Sequence, residues 1–130
     1  MHSTSPQQLK LSLLSFAYKF GLPADANIVF DARFLKNPYY EPDLQKLTGL
    51  DAAVGPHIES DPDFPAFYAQ LTTLLLLLLP RYAERDTDFS IAIGCTGGQH
   101  RSVYIVEKLG GFLSQAGYKV DITHRELDKV

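Results

Sequence analysis

Nine consecutive residues, Gly94-Cys95-Thr96-Gly97-Gly98-Gln99-His100-Arg101-Ser102, carry the side chains in this chain best suited to chemistry. Glycines let the backbone turn sharply and approach a ligand, and the first amides of a following helix have no carbonyl partner and point outward. Arg101 adds a planar, charged fork for an oxyanion, and a cysteine at the positive end of a helix is favoured as its thiolate. The pattern therefore predicts an anion site, with Cys95, Thr96, Gly97, Gly98, Gln99, His100, Arg101 and Ser102 as candidate contacts.

Cys95, Gly98, Arg101 and Ser102 also satisfy the spacing C-x-x-G-x-x-R-[ST], which resembles the phosphate loop of cysteine-dependent phosphatases. That resemblance implies a Cys95 nucleophile, phosphoryl oxygens held by Arg101 and the loop amides, and a leaving thiolate assisted by Ser102. A general acid would have to come from elsewhere, with Asp25 or Asp31 available, and Gly94 stands where those enzymes usually carry His. The competing reading is a small thiol that lines the pocket without reacting.

A turn of this kind needs a strand before it and a helix after it. Phe89 to Ile93 alternates and reads as the strand, while Val103, Val106, Leu109 and Leu113 recur at helical spacing over Ser102 to Ala116, with Gly117 as the stop. Further strands are predicted over Leu9 to Tyr18, Asn27 to Ala32 and Tyr118 to Thr123. Asp31 and Arg33 fall at the end of the second of these, where ligand groups gather if it runs parallel to the Cys95 strand; the alternative is a surface ion pair. Lys19 lies in the turn after the first strand, either facing the pocket or simply solvated. Asn37-Pro38-Tyr39-Tyr40-Glu41-Pro42 must be loop, because its prolines remove donors and restrict their neighbours. A short helix is expected over Asp43 to Leu47, and another capped by Asp51 but interrupted at Gly55-Pro56.

Phe64, Phe67, Tyr68, Leu71, Leu75 and Leu78 mark a long helix. Its leucine run, Leu74 to Leu79, predicts burial against the sheet and against either another helix or a second subunit, which admits a purely structural oligomerisation module as a further reading. The uninterrupted apolar run stops at Pro80, well short of the roughly 18 residues of a membrane span.

The whole chain, at 130 residues with 45% hydrophobic and 21% charged residues, fits one ordinary globular domain. Its net charge of -3 argues against a surface built throughout for nucleic acid. A single cysteine excludes an internal disulfide and a multi-cysteine zinc site, so no metal is expected and a reducing, cytoplasmic setting is. Residues 1–8 read as a disordered leader, residues 9–130 as the domain, and His124 to Val130 as a polar tail with a helical turn. His57 and His124 read as surface residues. The expected fold is α/β, with a mixed sheet of about four strands and helices on its faces.

A second resemblance is longer. Phe16-Ala17-Tyr18-Lys19-Phe20-Gly21-Leu22-Pro23, Phe30-Asp31-Ala32-Arg33-Phe34-Leu35-Lys36-Asn37-Pro38, Thr48-Gly49-Leu50-Asp51 and Ala92 through Val103 occur in order and resemble the C-terminal domain of the RapZ/YvcJ family. The resemblance implies a non-catalytic sensor and adaptor. In enterobacterial members this domain binds glucosamine-6-phosphate, self-associates, and presents small regulatory RNA to an endoribonuclease. Carried over, the sugar-phosphate pocket would use Lys19, Asp31, Cys95, Thr96, Gly97, His100 and Arg101, with Arg33, Asn37 and Tyr39 around it. Tyr39 stands where the family often has His. No G-x-x-x-x-G-K-[ST] occurs in this chain, so the nucleotide site of longer members is not carried over. The expected ligand is phosphate, sulfate or a sugar phosphate, with no other cofactor. The expected partners are a second copy and, by resemblance, RNA and an endoribonuclease.

Overall fold

The computed structural model describes residues 9–85 and 87–127; the leader expected over residues 1–8 lies outside them. Four strands form, β1 (Leu11–Ala17), β2 (Ile28–Asp31), β3 (Phe89–Cys95) and β4 (Val120–His124), in one sheet of order β2-β3-β1-β4. The α/β class is as expected, but every strand pair is parallel, which corrects the mixed sheet. Alternating hydrophobicity does not encode strand direction. The connections decide it, and each one here returns the chain to the same end of the sheet. The register sets Ala17 beside Cys95 and Asp31 beside Gly94, so three strands finish together at the edge where open parallel sheets collect ligands.

Three helices accompany the sheet, α1 (Val54–Glu59), α2 (Phe64–Glu84) and α3 (Arg101–Gln115). The odd-numbered residues of β1 and β3 and the even-numbered residues of β4 face them: Gly110 of α3 lies against Ile122 and Leu13, and the Tyr82 ring of α2 meets Phe89 at 4.3 Å. Val103, Val106, Leu109 and Leu113 are buried as the α3 stripe, and Gly117, at φ +102°, turns the chain away so that the Tyr118 N–H closes on the Leu113 carbonyl at 3.0 Å. The opposite sheet face carries Phe16 with Tyr18 just beyond it, and both rings fill the space above Gly94.

Two helix expectations need correction. Asp43 to Leu47 forms no helix; Glu41 O accepts from the Leu44 and Gln45 N–H groups in a simple turn, since five residues do not repay helix nucleation. Asp51 does not cap α1, because its carboxylate accepts instead from the Thr48 N–H at 2.8 Å. Gly55 and Pro56 do not interrupt that helix either. They occupy its first turn, where a missing N–H has no carbonyl to satisfy.

The long helix α2 continues through Pro80, which sits on its exposed side. Leu71, Leu75 and Leu79 are buried, but Leu74, Leu76 and Leu77 are 39%, 44% and 69% exposed, so within one copy the leucine run is covered on one side only. By length and composition alone α2 is apolar enough to cross a membrane; in this fold its Leu71-Leu75-Leu79 stripe belongs to the domain core. Replacing Leu75, fully buried, by Ala should lower unfolding free energy by about 2–5 kcal/mol, whereas Leu77→Ala should change it by about 0.5 kcal/mol or less. Urea denaturation of the two variants checks the assignment of faces.

Candidate anion-binding site

The site is built where β3 gives way to α3. Gly94 and Cys95 end the strand in the core, residues 96–100 form the turn, and Arg101 opens the helix. Of the two glycines only Gly98 takes a left-handed conformation, at φ +70°; a Cβ there would also come within 2.5 Å of Glu126 Cγ. Gly97 has open space around it. The Cys95 thiol, 2% exposed, donates to Ser102 Oγ at 3.2 Å, and its sulfur accepts the Ser102 N–H at 3.4 Å. Helix start and thiol are therefore locked together.

Arg101 is 3% exposed, a buried cation that must find acceptors. Nη1 donates to the carbonyls of Arg33 at 2.6 Å and Leu35 at 3.0 Å, and Nη2 reaches Thr96 Oγ1 at 3.4 Å. Nε is buried and has no partner among the described residues. His100 is also buried, with Nε2 3.1 Å from the Leu44 carbonyl, so that nitrogen carries the proton. Burial pushes its imidazole below the ordinary range, against the opposing pull of the Leu44, Leu47 and Gln45 carbonyls. His100 is thus a neutral side chain at neutral pH, anchoring the loop to the turn at Leu44.

Above this loop lies a cavity of about 550 Å³. The loop supplies Cys95, Thr96, Gly97, Gln99, His100 and Arg101 to its wall. The 3-10 turn Tyr18–Phe20 supplies Lys19 and Phe20, and the Asn37 loop supplies Asn37, Tyr39 and Tyr40. Asn37 Oδ1 accepts the Tyr39 N–H at 3.1 Å, which fixes the start of the second 3-10 turn, Pro38–Tyr40, and presents both tyrosine rings at the rim. The structure therefore brings together nine of the residues singled out from sequence. It leaves four outside the cavity wall: Gly98 and Ser102, behind the loop, and Asp31 and Arg33.

Asp31 and Arg33 satisfy each other. The Arg33 Nη2 to Asp31 Oδ2 distance is 2.7 Å with both side chains nearly half exposed, and the guanidinium stacks on the Tyr18 ring at 3.8 Å. The Arg33 hydrogen bonds hold the Asp31 carboxyl below its usual range. Asp31 lies at the predicted strand end but points its charge at a neighbour rather than into the cavity.

Two residues at the other end of the chain were misjudged or missed. His124, expected at the surface, is wedged between Ser15 Oγ at 2.7 Å and Glu107 Oε2 at 2.6 Å. The Ser-His-Glu order resembles a hydrolytic relay, but Ser15 is fully buried on β1, where it pairs with His124 of β4, so the trio is a clamp. Glu126 was read as part of a polar tail; it is 3% exposed and lines the cavity. Its position after a strand at the chain's end gave no periodic signal that could have marked it. Among the described residues no group of three His, Cys, Asp or Glu is placed to hold a metal.

The geometry of Gly98 is directly testable. Gly98→Ala should lower stability by about 1–3 kcal/mol through the left-handed backbone and the approach to Glu126, while Gly97→Ala should stay within about 0.5 kcal/mol of the parent in thermal or urea unfolding.

A family model described as the RapZ C-terminal domain matches residues 9–128. A nucleotide-binding protein of Rhodospirillum centenum is 53% identical over 122 residues, covering 93% of this chain and 37% of that protein. A nucleotide-binding protein of Gluconobacter oxydans is 51% identical over 128 residues, covering 96% of this chain and 40% of its own length. One of Lactiplantibacillus plantarum is 50% identical over 120 residues, covering 92% and 40%. The chain thus spans about two-fifths of the length of these relatives. With the family match running through both edges of the Cys95 site, the chain belongs to the RapZ C-terminal domain family.

Proposed function

We propose that the cavity above the Cys95 loop receives a phosphorylated small molecule, and that the chain is a non-catalytic sensor or adaptor domain. The observation that carries this reading is Arg101: a cation 3% exposed, lining the cavity beside the first turn of α3, whose Nε has no partner among the described residues. A phosphoryl oxygen would complete its coordination, and the loop amides would share the charge. Lys19 adds a second cation at the cavity wall. The sugar end of a phosphosugar would meet Asn37, Gln45 and the faces of Tyr39 and Tyr40, a role the sequence had offered to Asp31.

Family membership supports glucosamine-6-phosphate as the first ligand to test. It also supports small regulatory RNA and an endoribonuclease as partners in a cytoplasmic setting. The relatives' names speak of nucleotide binding by proteins more than twice this length, and this chain contains no Walker-type phosphate loop to carry that activity. The exposed side of α2, with Leu74, Leu76 and Leu77, favours self-association as a second property of the domain.

One observation favours a rival reading. The Cys95-Ser102 pairing, with a helix amide on sulfur, is the arrangement a nucleophilic thiolate needs. Against it, the Arg101 fork is turned to two backbone carbonyls, and the thiol is 2% exposed.

Calorimetry and thermal unfolding with inorganic phosphate and glucosamine-6-phosphate separate the two. At a ligand concentration about a hundred times Kd the stabilisation should reach about 2.7 kcal/mol and raise Tm by several degrees. Arg101→Ala should abolish the shift; an unchanged shift in that variant rejects the proposed site. Turnover of an aryl phosphate that vanishes in Cys95→Ser would establish the phosphatase reading instead.

A further inference from the structure

Among the described residues β2 pairs with β3 and with no other strand, so its far side is a margin of the sheet. Every second residue of an edge strand aims its N–H and C=O at that margin. No described residue outside β3 hydrogen-bonds to the main chain of Ile28–Asp31, which leaves these outward groups open. The strand reads Ile-Val-Phe-Asp in unbroken register, without the proline, lysine or bulge that commonly protects an edge. Beside it lies a groove of about 420 Å³. Phe30 and Phe34 line one wall, from β2 and the chain just after it, and Phe67, Leu71 and Leu74 of α2 line the other. Phe34 is 55% exposed even though its ring meets Phe67 edge to face at 5.1 Å, so apolar surface here is left to water. Asp63 is the one charged residue in the groove wall among the described residues. It stands at the N-cap of α2 but makes no capping bond, and its carboxylate has no partner among the described residues.

These features together select an occupant. Open main-chain donors and acceptors are met by another extended segment, because a helix spends its own groups on itself. The groove takes the side chains from one face of that segment. The unpartnered carboxylate calls for a cation. A second copy of this chain does not bring that set through its own sheet edges: β2 is Ile-Val-Phe-Asp and β4 is Val-Asp-Ile-Thr-His, each with an acid and neither with Lys or Arg. Arg33, just after β2, is already bound to Asp31. We propose that the β2 edge docks an extended segment of a partner protein, which adds as a fifth strand, seats apolar side chains on Phe34, Phe67 and Leu74, and sets a Lys or Arg against Asp63. The groove shares no lining residue with the anion cavity, so the two sites stand or fall separately.

The probe is a fluorescently labelled peptide of alternating Val and Thr with Lys at one end, which places its apolar side chains on one face when extended. Titrated against the whole chain, it should bind saturably, and about tenfold or more tightly than a peptide of the same composition with its valines grouped together. At saturation, amide hydrogen exchange at the outward N–H groups of Ile28–Asp31 should slow by about tenfold or more. Asp63 is exposed, so its replacement leaves the core intact. Asp63→Lys should weaken the Lys peptide about fivefold and favour the version carrying Glu in place of Lys. Absence of saturable binding, equal affinity for the grouped peptide, or exchange in β2 that is unchanged at saturation overturns the proposal. Protection of the β2 edge that grows with protein concentration in the absence of peptide assigns the edge to a second copy and overturns it as well.

Discussion

A guanidinium buried to 3% exposure is a demand on everything around it, and Arg101 organises the strand-end region by that demand. Its Nη1 takes the carbonyls of Arg33 and Leu35, which lie just after β2, while its backbone begins α3 just after β3. One side chain thereby fixes the spacing between two adjacent strand ends and the loop that leads to the tyrosine rim. Had these carbonyls faced water, the chain after β2 would have no reason to stay over the Cys95 turn. The same cation is both a structural tie and, through Nε, an unfinished coordination shell.

The other side of the cavity is held by a second set of polar ties. Ser15, His124 and Glu107 connect β1, β4 and α3 in one chain of short contacts, and Arg125 and Glu126 carry the connection onward to Ala17 and Gly21. Because β1 lies between β3 and β4, this clamp sets the Lys19 turn relative to the glycine loop. On this side the pocket is thus tied together by the pairs Ser15–His124, Ala17–Glu126 and Gly21–Arg125, each more than a hundred positions apart in sequence.

The far end of the helical layer is organised differently. Glu59 of α1 accepts from the Tyr104 hydroxyl and from Lys108 Nζ at 2.9 Å, and the Lys108 ammonium lies 5.2 Å from the Tyr68 ring centroid. These two donors hold the Glu59 carboxyl low, while burial pushes the Tyr68 hydroxyl up to about 12. The cluster joins all three helices, so α3 is held through Tyr104 and Lys108 while Arg101, at its start, stays committed to the site.

Much of this was legible in the chain itself. Alternation marked β1, β3 and β4, a short apolar run marked β2, and helical periodicity marked α2 and α3, because burial of one face leaves its period in the sequence. The glycine loop and Arg101 announced an anion site because local backbone chemistry, a turn followed by a helix start, is a property of adjacent residues. Other features depended on the fold. Strand direction was fixed by crossover connections, so a mixed sheet became a parallel one. Asp31 found Arg33 two residues away and left the pocket, a pairing that spacing permits but does not require. Glu126 became buried against Ala17, and His124 half-buried against Ser15, only because β4 docks beside β1. Sequence alone determined which residue types meet across a turn; the tertiary structure decided which distant side chains share a buried space, since burial is what forces a polar group to choose its partner.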